Sequence, residues 1–168
     1  MSALLVDTNN LTLRFKQNII NCVIGRSGPC PADQKREGDG HTPLGCWPVR
    51  CVLFRPGRSR PPPQLKLPWR WIGMQDGWSD DPLDPSYNQP VRLRHPFSAE
   101  TLIRNDILYD IVVVLGYNDI PPIASKGSAI FFHIADEGKA TEGCVAIGRS
   151  EMDALLPMLK PGDLMEIM

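Results

Sequence analysis

Hydrophobic and polar positions alternate with a period of two in the N-terminal third of the chain. Leu11, Leu13 and Phe15 alternate with Thr12 and Arg14, and after a short turn Asn18 to Ile24 forms a second run. This spacing predicts short strands with one buried face. A loop rich in glycine and charge runs from Gly25 to Gly45, and Val49 to Phe54 is the next apolar run. Ile111 to Leu115 is a continuous β-branched stretch of the kind buried on both faces, and Ala129 to Ala135 is a second core strand. Near the C-terminus the period lengthens. Met152, Leu155, Leu156 and Leu159 make a helical stripe over about 150–159, with Ser150 and Asp153 at capping-box spacing and Pro161-Gly162 as the stop. Leu164 to Ile167 closes as a strand. The pattern predicts one mainly β domain over residues 1–168, with a single helix on the C-terminal side.

Composition changes this picture in one place. The 17 prolines and 14 glycines favour strands joined by ordered loops. The prolines concentrate at about 56–90, where Pro61-Pro62-Pro63 is followed by Trp69, Trp71 and Trp78 without helical period. Tryptophans are costly to leave in water, so this stretch is expected to be a packed insertion rather than a linker. A net charge of −1 gives no basic field for nucleic acid. No apolar run approaches the ~18 residues of a membrane span, and Met1 to Asp7 lacks the features of a signal peptide. A cytoplasmic monomer is therefore expected, or a periplasmic one if a leader has been removed. The five cysteines are odd in number and lack C-x-x-C spacing, while His41, His95 and His133 lie far apart. No metal site is expected.

The candidate chemistry lies at Phe131 to Ala135 and Thr141 to Ile147, with Gly138 in the intervening turn. A hairpin folded at Gly138–Lys139 would set His133 opposite Cys144, with Cα atoms ~4.5–5.5 Å apart. An imidazole there reaches a thiol proton and can hold an ion pair with the thiolate, which would make Cys144 the most acidic of the five thiols. Gly143 leaves room for a substrate carbonyl, and nearby backbone N–H groups suit a developing oxyanion. Each residue alone is more often a plain core side chain.

Phe132-His133-Ile134 followed by Thr141-Glu142-Gly143-Cys144-Val145 resembles the active-site signature of the L,D-transpeptidase catalytic-domain family. That signature is a His on a strand, a spacer, then Ser/Thr-His-Gly-Cys, an apolar residue and Asn or Arg. Lys35 to Gly45 is similar to the family's glycine-rich segment ending in Thr-Pro-x-Gly. The chain departs from the pattern at Glu142, where the family has His, at Ala146, where it has Asn or Arg, and in its short seven-residue spacer. The resemblance implies a β-sandwich-like mixed fold with no cofactor. It implies Cys144 as nucleophile, His133 as base and later acid, the Ile134 carbonyl as the group orienting the imidazole, and the Gly143 and Cys144 N–H groups at the oxyanion.

The substrate it implies is the bond between a diamino acid and D-alanine in a peptidoglycan stem tetrapeptide or muropeptide. The acyl-enzyme is resolved by water (L,D-carboxypeptidation, the expected outcome here) or by an amine (transpeptidation in the envelope). A weakened wall-peptide-binding domain is the alternative of another class. At Glu142 a carboxylate either opposes thiolate formation or holds a substrate ammonium. Arg149 is a candidate for a substrate carboxylate, and Asp39 and Thr42 match motif residues, with Thr42-Pro43 read chiefly as shaping the loop. Tyr109, Tyr87 and Trp78 are candidate pocket walls.

Overall fold

The computed structural model describes residues 3–136 and 138–168; Met1, Ser2 and Glu137, parts of the leader and turn readings, lie outside them. The described residues form the strands β1 (Ala3–Asp7), β2 (Thr12–Phe15), β3 (Asn18–Val23), β4 (Pro29–Pro31), β5 (Thr42–Phe54), β6 (Trp69–Trp71), β7 (Asp76–Ser79), β8 (Pro90–Arg92), β9 (Ala99–Thr101), β10 (Ile111–Leu115), β11 (Phe131–Ile134), β12 (Val145–Ile147) and β13 (Leu164–Ile167). Of these, β2, β3, β5 and β10 to β13 fall on predicted runs, whereas β1, β4 and β6 to β9 were not predicted. Leu11 is an exception to the alternation. It turns at positive φ and is exposed, so the buried face of β2 begins at Leu13.

Two sheets share strands β3 and β5. The hydrogen-bonded order β10-β11-β12-β3-β2-β1-β13-β5 closes on itself through a second pairing of β5 with β10. The 13-residue β5 makes this possible. Gly45 to Pro48 pairs with β13, and Val49 to Phe54 pairs antiparallel with β10. Between the sheets lies the main core, including Leu4, Phe15, Val52, Phe54, Val113, Phe132 and Ile134. The helix, α1, spans Arg149–Leu155, with a 3-10 turn at Leu156–Met158, and delivers Met152, Leu155, Leu156 and Leu159 into this core. The stripe is as predicted, but the cap is not. Gly148 occupies the N-cap, and the Ser150 hydroxyl bonds Glu151 instead.

The alternation of β10 and β11 places the other residues on the outer face. Val112, Val114 and Phe131 join Leu53, Ile72, Trp78, Leu102, Tyr109 and Cys144 in a second core. The chain from the proline-rich stretch through residue 110 covers this face, carrying a three-stranded sheet of order β8-β7-β9. Trp78 is buried as expected. Trp69 and Trp71 are 44% and 43% exposed, since they sit on edge strand β6, which pairs only with β5, and pack edge-on against Phe54.

Candidate active site

The expected hairpin between His133 and Cys144 does not form. β11 and β12 pair in parallel, with Phe132 beside Val145 and His133 beside Ala146. Ala135, Asp136 and residues 138–144 lie in the crossover that a parallel pair requires. The loop is tied back across β3: Thr141 N–H donates to the Ile24 carbonyl, and Arg26 N–H to the Thr141 carbonyl. His133 and Cys144 still share the outer face, because Cys144 lies two residues before Ala146. A rise of ~3.3 Å per residue and a strand spacing of ~4.8 Å put their Cα atoms roughly 8 Å apart on the diagonal, farther than a direct pair.

Cys144 is held by its neighbours on β11. Phe131 N–H donates to Sγ (3.3 Å), and the thiol donates to the Ala129 carbonyl (3.2 Å). Ala129 is fixed through its N–H to Asn88 Oδ1, which also accepts from Trp78 Nε1. His133 is buried, with Nδ1 2.8 Å from the Ile134 carbonyl oxygen. A carbonyl only accepts, so Nδ1 carries the hydrogen and Nε2 is left as the basic nitrogen. Tyr109 packs edge-on against the ring at 5.3 Å. Its hydroxyl donates to Glu100, and Arg104 lies over its face.

The resting electrostatics reverse one expectation. Burial pushes the Cys144 thiol up to about 12 and lowers the His133 imidazole to about 4. The site therefore rests as neutral thiol and neutral imidazole, and Cys144 is not an acidic thiol before substrate arrives. Burial raises Cys22 as well, to about 11.

Gly143 has φ +139°, and a Cβ there would stand 2.8 Å from the His41 carbonyl oxygen. Its lack of a side chain thus serves close backbone packing rather than substrate space. Its N–H donates to Thr141 Oγ1 (3.1 Å), so it is not aimed at an oxyanion. Thr42 is fully buried; Oγ1 accepts from Gly25 N–H and donates to the Gly143 carbonyl, both at 2.8 Å. Thr42→Val would strand both groups. It should cost roughly 2–3 kcal/mol and lower Tm by roughly 5–10 °C, with Thr42→Ser near wild type in thermal melts.

A cavity of about 490 Å³ is lined by Cys144, His133, Ala146, Tyr109, Leu108 and Ile130, together with charged residues from both sides. Glu142 is at this cavity and mostly exposed, ion-paired with Arg26 at 2.8 Å. The remaining candidates fall elsewhere. Asp39 holds the glycine-rich loop, accepting from Lys35, Arg36 N–H and His41 N–H. Arg149 is engaged by Asp110 and the Arg58 carbonyl and lines other clefts, so it does not reach a substrate beside Cys144. Tyr87 donates to Glu37 and accepts from Gly127 N–H, while Trp78 backs Phe131 from behind. His41 faces the Gly28 carbonyl and His95 pairs with Asp84, both away from the cavity lining.

Sequence reasoning missed Asn88 and the lining residues Lys35, Glu37, Asp80, Glu100 and Arg104. Three of these five come from the covering segment, whose only signal was costly tryptophans within a proline-rich stretch.

Two solved structures resemble the chain in outline. L,D-transpeptidase 1 of Mycobacterium tuberculosis is 9% identical, with TM-score 0.49. An L,D-transpeptidase from Mycobacterium smegmatis is 11% identical, with TM-score 0.48. The match takes in 99% of this chain but only 58% of each of those. No curated protein sequence matches. The family model of the L,D-transpeptidase catalytic domain (YkuD) matches residues 2–167, nearly the whole chain, and the chain belongs to that family.

Proposed function

We propose that this chain is a cysteine L,D-carboxypeptidase that removes terminal D-alanine from peptidoglycan stem tetrapeptides through an acyl-enzyme on Cys144. The observation that carries this reading is the placement of Cys144 and His133 on one cavity, with Nδ1 of His133 fixed by the Ile134 carbonyl. Because both groups rest neutral, the thiol gives its proton to Nε2 as Sγ attacks the carbonyl of the diamino acid. The Cys144 N–H is the backbone donor assigned to the oxyanion, since that of Gly143 is engaged. Collapse of the tetrahedral adduct breaks the C–N bond, and the imidazolium protonates the departing D-alanine amine. His133 then takes a proton from water, which attacks the thioester and returns the thiol.

A cavity of about 490 Å³ suits the reacting end of one peptide, in the range of ordinary small-ligand pockets. Incubation with purified tetrapeptide is expected to release free D-alanine and tripeptide with little dimer, read by mass spectrometry. Dominant dimer would instead identify a cross-linking transpeptidase, and binding without turnover a wall-peptide receptor.

The neutral resting pair gives a second test. Iodoacetamide at neutral pH should label exposed Cys46 before buried Cys144. A carbapenem, whose carbonyl is attacked in the manner proposed for substrate, should add to Cys144. Labelling of Cys144 first by iodoacetamide would show a preformed thiolate.

A further inference from the structure

The charges around the cavity do not balance. Lys35 is committed to Asp39 at 2.6 Å, and Arg104 is bound to Asp106 through two nitrogens at 2.8–3.1 Å. At the rim, Lys139 pairs with Asp136, and Glu142 with Arg26. His133 rests neutral. Three lining carboxylates are left over: Glu37, Asp80 and Glu100. Glu37 and Asp80 have no cation within ion-pair distance among the described residues; Glu100 has only Arg104, at 3.5 Å.

These groups are not simply solvated. Oδ1 of Asp80 is shut off from solvent and has no hydrogen-bond partner among the described residues. Leaving a carboxylate oxygen in that state costs free energy, and a cation beside the carboxylate offsets part of it through charge. Burial raises the Glu100 carboxyl; the Tyr109 hydroxyl and Arg104 oppose the rise, and Asp80 and Glu37 add to it. The Tyr87 and Tyr109 hydroxyls donate to Glu37 and Glu100, orienting these carboxylates without neutralising them.

We propose that Glu37, Asp80 and Glu100 form a specificity wall that binds the side-chain ammonium of the diamino acid in the donor peptide. This rests on the reading of Cys144 as the group acylated by that peptide. The ammonium supplies the missing cation and up to three N–H donors for the carboxylate oxygens that face the cavity. Donor selection then depends on a free amine, and the covering segment that supplies Asp80 and Glu100 sets it.

The test compares a tetrapeptide donor with the same peptide N-acetylated on the diamino acid side chain. Single-turnover acylation of wild type should show an apparent KM roughly 10–100-fold lower for the free amine. Asp80→Asn and Glu100→Gln should each raise KM for the free-amine peptide and leave the acetylated one unchanged. Equal handling of the two peptides by wild type would overturn the proposal. So would variants that weaken both peptides alike, which indicates a structural role, or an amine effect confined to transfer onto an added acceptor. Calorimetric binding of both peptides to Cys144→Ala keeps the inference separate from the chemistry. If no peptide acylates Cys144, the functional reading fails, and the wall stands or falls on tighter binding of the free-amine peptide.

Discussion

Cys144→Ala is expected to abolish both the covalent adduct and D-alanine release, lowering turnover by a factor on the order of 10⁴ or more. The fold should survive. The thiol makes two hydrogen bonds, to Phe131 N–H and the Ala129 carbonyl, and packs in the smaller outer core. Its removal should cost about 1 kcal/mol, a shift of a few degrees in Tm. Cys22→Ala is the matched control, since Cys22 is also buried but faces the core between the sheets. It should lose similar stability and keep full activity. Intact-protein mass spectrometry after incubation with tetrapeptide or carbapenem reads both variants. Persistent turnover in Cys144→Ala would remove the nucleophile assignment.

His133→Ala should slow acylation by a factor of order 10²–10⁴, the usual scale for a positioned proton-transfer group. His41→Ala and His95→Ala should have far smaller effects, because their partners lie outside the cavity lining. The pH profile carries a further signature. The imidazole acts as base only when unprotonated, so activity should persist down to about pH 4 before its acid limb, rather than falling near 6.5. With the thiol raised to about 12, no thiol limb is expected at moderately alkaline pH.

The same displacement makes stability depend on pH. Below 6.5 the unfolded chain protonates this histidine while the folded protein does not, so the unfolded state gains. Stability is full above 6.5 and falls as pH drops through about 4, with about 3 kcal/mol at stake from this group. Denaturant midpoints for wild type and His133→Gln between pH 7 and 4 isolate it. The variant should lose less stability over that interval.

What could be read along the chain was local. The unbroken β-branched run Ile111–Leu115 was recognisable as a strand buried on both faces, and the stripe from Met152 to Leu159 as the helical side of a core. The motif residues were recognisable by type and order: a histidine on an apolar strand, then Gly143-Cys144 before another. The two-residue period of a strand puts His133 and Phe131 on one face, as both adjoin the Cys144 side of the sheet.

It does not report which strand lies alongside, or in which direction. The antiparallel pairing inferred from the Gly138 turn was therefore open to error, and only the long-range ties of Thr141 to Ile24 and Arg26 made β11 and β12 parallel. Charge was undecided for the same reason. Arg149 read as a free cation until Asp110, 39 residues away, engaged it, and Glu142 read as adjacent to the thiol until Arg26 drew it to the rim. The proton positions of Cys144 and His133 follow from burial under the segment carrying Trp78, Leu102 and Tyr109. Local spacing specifies faces and residue types; desolvation and charge pairing depend on contacts between distant segments, and those exist only once the chain has folded.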